Sequence, residues 1–221
     1  MENDLSQTDD TFALLKLTLQ KFQSERINKT YEDIKSDPEY SRMGNFFFEK
    51  LYSPKDFAFR DASIKKLHKA LKGKVYSGMI SAVSKVIELH EISDRLDNLM
   101  VLKMMEFEVG QDMNMEEYQK VYRSLDNYDQ RIYQINLGAE VTKIFYKLSK
   151  KWIVAISLNT VKKAAFFFKI REIIDFIYEG YTAFKTIKNI DFFHDTIMAR
   201  ELAWHNEIWF AEDVEDTKTA N

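Results

Sequence analysis

The sequence predicts an all-α protein, a single-domain irregular helical bundle of about seven helices, on three observations. First, 221 residues with 45% hydrophobic and 14% aromatic content can bury a sizeable core, and such a core offsets the entropy of ordering the chain. Second, the chain holds only 6 Gly and 2 Pro, too few turn formers for a sheet-rich fold with many tight turns. Third, apolar residues recur every three or four positions through long stretches, the period of a helix with one buried face.

Each element follows from that period and its punctuation. Residues 1–8 read as a mobile leader, with Thr8, Asp9 and Asp10 as helix N-caps. A first helix runs from there to about Lys35, with Phe12, Leu15, Leu19 and Phe22 on one stripe. Asp37-Pro38 pairs a cap with proline at the first helical position, so a second helix starts there and ends at Ser53-Pro54. Asp61-Ala62-Ser63 opens a short third helix to about Lys72, and Gly73 and Gly78 bracket a turn. A long helix from about Met79 to Val109 is closed by Gly110. After a connector over Gln111–Asn114, periodicity resumes at Met115 and continues, bent near Gly138, to about Lys151. Two further helices cover roughly Ile153–Lys188 and Asp191–Phe210. No repeat or linker divides the chain, so residues 1–210 read as one domain and residues 211–221 as an acidic, disordered tail.

Composition narrows the function classes. With 32 basic and 35 acidic residues the net charge is −3, so no global field draws the chain to nucleic acid. The absence of cysteine removes disulfides, thiolate metal sites and cysteine nucleophiles, and fits a cytoplasmic protein. The N-terminus lacks the basic and apolar regions of a signal peptide. The longest apolar region, Trp152–Leu158, falls far short of the roughly 20 residues that span a bilayer. There is no glycine-rich phosphate loop, no His-Glu-x-x-His and no Gly-x-Ser-x-Gly elbow.

One stretch stands apart: Phe46-Phe47-Phe48-Glu49-Lys50-Leu51-Tyr52, then Ser53-Pro54-Lys55-Asp56 and Arg60-Asp61. It resembles the signature of the FFLEELY-motif proteins, an uncharacterised bacterial family. Glu88-Leu89 through Leu96-Asp97, Arg131-Ile132-Tyr133-Gln134-Ile135, and Phe176 through Lys185 with Ala199-Arg200-Glu201 resemble its further blocks, in order, over about residues 40–205. Phe48 and Lys50 depart from the name-giving string, and Ser53 stands where glycine is expected. The resemblance implies an all-helical bacterial protein and brings no mechanism with it. On the residues themselves, Asp56, Arg60 and Asp61 mark the corner after the motif. There Arg60 either pins the corner through a carboxylate or anchors an anionic ligand.

The sharpest local signal is polar residues where apolar ones belong. On the long helix, Met79, Val83, Val86, Ile87, Val101, Met104 and Met105 form an apolar arc, and His90, Asp94 and Asp97 fall within it. On the last helix, Glu201 lies inside the stripe of Ile190, Phe193, Ile197, Trp204 and Ile208, with Arg200 flanking it and His194 and His205 on the same side. A buried carboxylate without a partner costs several kcal/mol, so these groups must be paired, liganded or wet. Three arrangements satisfy that requirement. One is a structural network in which Arg131 or Arg200 pairs with Asp94, Asp97 or Glu201. The second is a metal or cofactor site drawing on His90, Asp94, His194, Glu201 and His205, although the paired Glu-x-x-His of di-iron bundles is missing. The third is a pocket for an apolar or amphipathic small molecule whose head the polar groups hold.

The leading functional expectation is a non-enzymatic small-molecule-binding or protein-interaction module, self-associating as a symmetric dimer through an aromatic-rich helix face. The alternative is a metal- or cofactor-dependent bundle enzyme using the histidine–carboxylate cluster.

Overall fold

The computed structural model describes residues 2–51, 77–151 and 171–211. Their elements are α1 (Glu2–Thr30), α2 (Glu32–Ser36), α3 (Ser41–Asn45), a π-helical turn π1 (Phe46–Leu51), α4 (Ser77–Glu106), α5 (Met115–Arg123), α6 (Tyr128–Ser149), α7 (Arg171–Lys185) and α8 (Ile190–Trp209). Among the described residues there is no strand, and the architecture is the all-α bundle the sequence predicts. No described helix is long and apolar enough to cross a membrane.

Local chemistry explains the boundaries. The Asp37 carboxylate accepts from the backbone N–H groups of Glu39 at 2.7 Å and Tyr40 at 3.2 Å, so it caps the turn that carries Pro38 into α3. Asn114 and Glu117 form a reciprocal capping box at the start of α5, at 3.0 and 2.9 Å. At the start of α8 the Asn189 side chain accepts from the N–H groups of Asp191 and Phe192.

Four features differ from the sequence reading. The first helix begins at Glu2 rather than after Asp10; residues 2–30 contain no Gly or Pro to interrupt it, and Asp9 and Asp10 stay solvated on its exposed face. The chain from Met115 is broken at residues 124–127, where Asp126 adopts a positive φ of 46°, whereas Gly138 lies buried inside α6. The residue that reverses the chain after α4 is Glu108, at φ 56°, not Gly110. Val109 N–H reaches Met104 C=O at 2.9 Å and Glu108 N–H reaches Met105 C=O at 3.3 Å, the paired bonds of a Schellman cap. Finally, the Phe46–Leu51 segment is π-helical, a wider turn that brings successive side chains closer to one face. Tyr52, the Ser53-Pro54 stop, the helix expected over residues 61–72, the Trp152–Leu158 run and most of the tail lie outside the described residues.

The widened turn buries all three phenylalanines of the motif. Phe48 stacks on Tyr31 with centroids 4.5 Å apart, Phe47 meets Phe193 edge-on at 5.7 Å, and Phe46 meets Phe184 edge-on at 6.4 Å. These rings centre an apolar cluster joined by Ile27 of α1, Leu89, Ile92 and Leu96 of α4, Val141 of α6 and Ile197 of α8. A second cluster gathers Leu15 and Leu19 of α1, Met100 and Met104 of α4, Tyr118 and Val121 of α5, and Ile208 of α8. Three helices, α1, α4 and α8, therefore run through both clusters. Between them each helix presents polar side chains at the same level, and that belt is where the candidate site lies.

Candidate functional site

Helical periodicity builds the belt. On α1 the stripe of Phe12, Leu15, Leu19 and Phe22 continues one turn further to position 26, which is arginine. On α4 the apolar arc passes through His90, Asp94 and Asp97; on α8 it passes through Glu201. Arg131, in the first turn of α6, completes the ring. These groups line a partly open cavity of about 140 Å³. A cavity of roughly 150 Å³ holds a benzene-sized molecule, so the space suits a ligand of about six non-hydrogen atoms, with room for more toward its open side. Its apolar walls include Ile27, Val86, Leu89 and Ile197.

Two charges in the belt satisfy one another. Arg26 Nη1 lies 2.6 Å from Glu201 Oε1, with the side chains only 12% and 14% exposed. The Tyr31 hydroxyl donates to the same oxygen at 2.9 Å, and the guanidinium sits 4.1 Å over the Trp204 ring. Burial alone would lower the Arg26 pKa, but the adjacent Glu201 carboxylate outweighs it and the pKa is raised. This is a buried, hydrogen-bonded pair of α1 with α8.

The other two central charges are less completely matched. Asp97 is 7% exposed and accepts from the side-chain amides of Gln20 at 3.4 Å and Gln23 at 3.2 Å. Burial pushes its pKa up, while the charge of Arg131 and the two amides pull the other way. Arg131 is 4% exposed, its carbon 4.7 Å over the Tyr122 ring. Its Nη1 donates to Gln134 Oε1 at 3.2 Å, whereas Nε and Nη2 have no hydrogen-bond partner among the described residues. Burial also pushes the Tyr122 hydroxyl upward, so it stays protonated.

His90, Asp94, Asp97, Arg131 and Glu201 all line this one cavity. Asp94 is paired there with Lys16 Nζ at 2.6 Å and accepts from Asn98 at 3.1 Å. Arg200 does not line it. It faces α2, where it forms a bidentate pair with Asp33 at 2.8 and 2.6 Å and donates to Thr30 C=O at 2.7 Å. Nor do the histidines of α8: His194 bonds Asp195 at 2.8 Å on an exposed edge, and His205 packs behind Tyr122, whose hydroxyl lies 2.9 Å from its Nδ1. Among the described residues no three His, Asp or Glu side chains are grouped to hold a metal ion, so the structure does not gather the five metal-ligand candidates. Asp56, Arg60 and Asp61 lie outside the described residues.

Sequence reasoning missed the contribution of α1, namely Lys16, Gln20, Gln23 and Arg26, and that of Tyr118 and Tyr122. The signal for Arg26 was present, since it continues an apolar stripe in the same way as Asp97 and Glu201. The tyrosines gave none, because tyrosine on an apolar face is ordinary core.

Fold and site together define an all-helical bundle with a charged, partly open cavity at its waist. The chain belongs to the family described as a domain of unknown function (DUF8198), which it matches over residues 3–214. No curated protein and no solved structure matches the chain.

Proposed function

We propose that the protein is a non-enzymatic small-molecule-binding protein and that the belt cavity is its binding site. The observation that carries this reading is Arg131, a buried cation lining the cavity with two nitrogens, Nε and Nη2, unmatched by any described residue. A network serving structure alone would be expected to give such a cation a carboxylate, as Arg26 Nη1 has Glu201 while only its Nε is left unmatched, because an unsatisfied buried donor costs about 1–3 kcal/mol. A polar group converging on an apolar-walled cavity is also the usual make-up of a ligand pocket.

Membership of the bacterial FFLEELY-motif group, and residence in the cytoplasm, belong to the same proposal. The Phe46–Leu51 string and the lack of cysteine support them. Three further blocks of that resemblance supply cavity residues: Leu89 to Asp97, Arg131 to Ile135, and Glu201.

The test is mass spectrometry of gently purified protein, native and then denatured. A near-stoichiometric small molecule released on denaturation is expected. It should be missing from Ser24→Leu, which narrows the cavity, while that variant keeps its helical circular dichroism. Protein that releases nothing, and whose melting temperature responds to no small organic acid, amine or neutral compound, would overturn the reading.

A further inference from the structure

Resting on the reading of the cavity as a binding site, we infer that its ligand is a small organic monocarboxylate, held side-on by the Nε–Nη2 edge of Arg131. The two unmatched N–H groups are not arbitrary ones. They leave the planar guanidinium on the same side, nearly parallel, and so match the two oxygens of a carboxylate in a bidentate pair. The remaining corner of the group is occupied: Nη1 donates to Gln134 Oε1 at 3.2 Å, and the plane is set by the Tyr122 ring 4.7 Å away.

The surroundings keep that edge from a protein carboxylate. Asp97 feels the Arg131 charge, yet its two oxygens accept from Gln20 and Gln23 instead. Glu201 is taken by Arg26 and Tyr31, and Asp94 by Lys16. Arg131 is therefore the cation in the belt whose fork is left for a ligand.

Charge and shape then select among anions. Asp94, Asp97 and Glu201 all line the cavity, so a dianion such as phosphate meets three carboxylates for one available guanidinium edge. One guanidinium edge is what the site offers an incoming anion. The walls of Ile27, Val86, Leu89 and Ile197 accept a carbon body, and the 140 Å³ volume limits it to a short one. The class is a short-chain monocarboxylate.

Titration calorimetry on the full-length protein decides the matter, using butyrate through octanoate, the primary amide of each acid, and inorganic phosphate. At least one acid is expected to bind one-to-one, with its amide weaker by about 10–100-fold, the worth of a charge-assisted bidentate contact. Arg131→Lys, which keeps the charge but loses the fork, should weaken the acid by at least about tenfold. Should Arg131→Lys fail to fold, Ser24→Leu must abolish the heat of binding with Arg131 intact. An amide that binds as tightly as its acid, phosphate that binds in place of the acids, or an Arg131→Lys variant with unchanged affinity would each sink the carboxylate assignment and leave the cavity as a binding site. If neither acids nor amides bind, the assignment falls alone when the denatured protein releases some other molecule. It falls together with the binding reading when nothing is released.

Discussion

Glu201 holds two buried partners at once, Arg26 at 2.6 Å and the Tyr31 hydroxyl at 2.9 Å, so its loss strands a buried cation. Glu201→Ala is expected to cost about 3–5 kcal/mol in urea unfolding, and the double variant Arg26→Met/Glu201→Leu to recover most of that, because removing both charges also removes their desolvation. His205 sets a pH dependence. It is fully buried, and burial with the nearby Arg131 charge lowers its pKa from 6.5 to about 4. Between those values protons bind the unfolded chain first, so this contribution is complete above pH 6.5 and is lost as the pH falls toward 4. Its size is on the order of 3 kcal/mol. Asp97 acts in the opposite sense, since its raised pKa makes its buried charge a cost that acid relieves. Unfolding free energies of the parent and His205→Gln, measured from pH 4.5 to 7.5, should therefore diverge as the pH rises. Parallel curves would show that His205 does not titrate between the folded and unfolded states. Residues of this kind were legible wherever a charge interrupted an apolar stripe, as at Asp97 and Glu201. Arg200 was harder to place: next to Glu201 in sequence, it is turned about 100° away on the helix and finds Asp33 instead.

Elements were legible where side chains speak for the backbone. Asp37-Pro38 is an ordinary start signal, and the long apolar arc of α4 leaves little doubt of a helix. A π-helical turn has no comparable code, because nothing in three consecutive phenylalanines distinguishes it from an α-helix. The end of α4 was misplaced because glycine is the usual left-handed residue, while here Glu108 takes that conformation at φ 56°. Glu108→Gly should relieve that strain and stabilise the protein by about 0.5–1 kcal/mol. In a domain of this size that is a rise of roughly 1–4 °C in melting temperature; a fall would mean that the Glu108 side chain contributes more than its backbone costs. Gly180 of α7 behaves oppositely. A Cβ there would come within 2.7 Å of Phe46 Cζ and 3.3 Å of Phe145 Cε1, so Gly180→Ala should destabilise by about 1–3 kcal/mol despite alanine's better helix propensity. A neutral or stabilising result would show that the Phe46 ring yields readily.

At the scale of the whole molecule, two apolar clusters are bridged by helices that traverse both, with the charged waist between them. The continuity of α1, α4 and α8 should make the clusters unfold together. Two of the 3 tryptophans, Trp204 and Trp209, pack against the second cluster, whereas the helical signal samples both. Tryptophan emission and far-ultraviolet circular dichroism should thus share one urea midpoint. Two separated midpoints would identify the waist as a seam between independent folding units. The bundle itself was legible from composition and period. The waist was only half legible, because it depends on which turns of four different helices come level, and that register is a property of packing rather than of any one segment.

The link between Arg26 and Glu201 spans 175 positions of chain. On a ribosome working at about 5–20 residues per second, roughly ten to thirty-five seconds separate the emergence of one from the other. Throughout that interval a nascent chain carries a cation that its interior cannot accept without its counterpart. A product truncated before α8 should leave that cation without its counterion, and its first helix is expected to be cut by proteases more readily than in the intact chain.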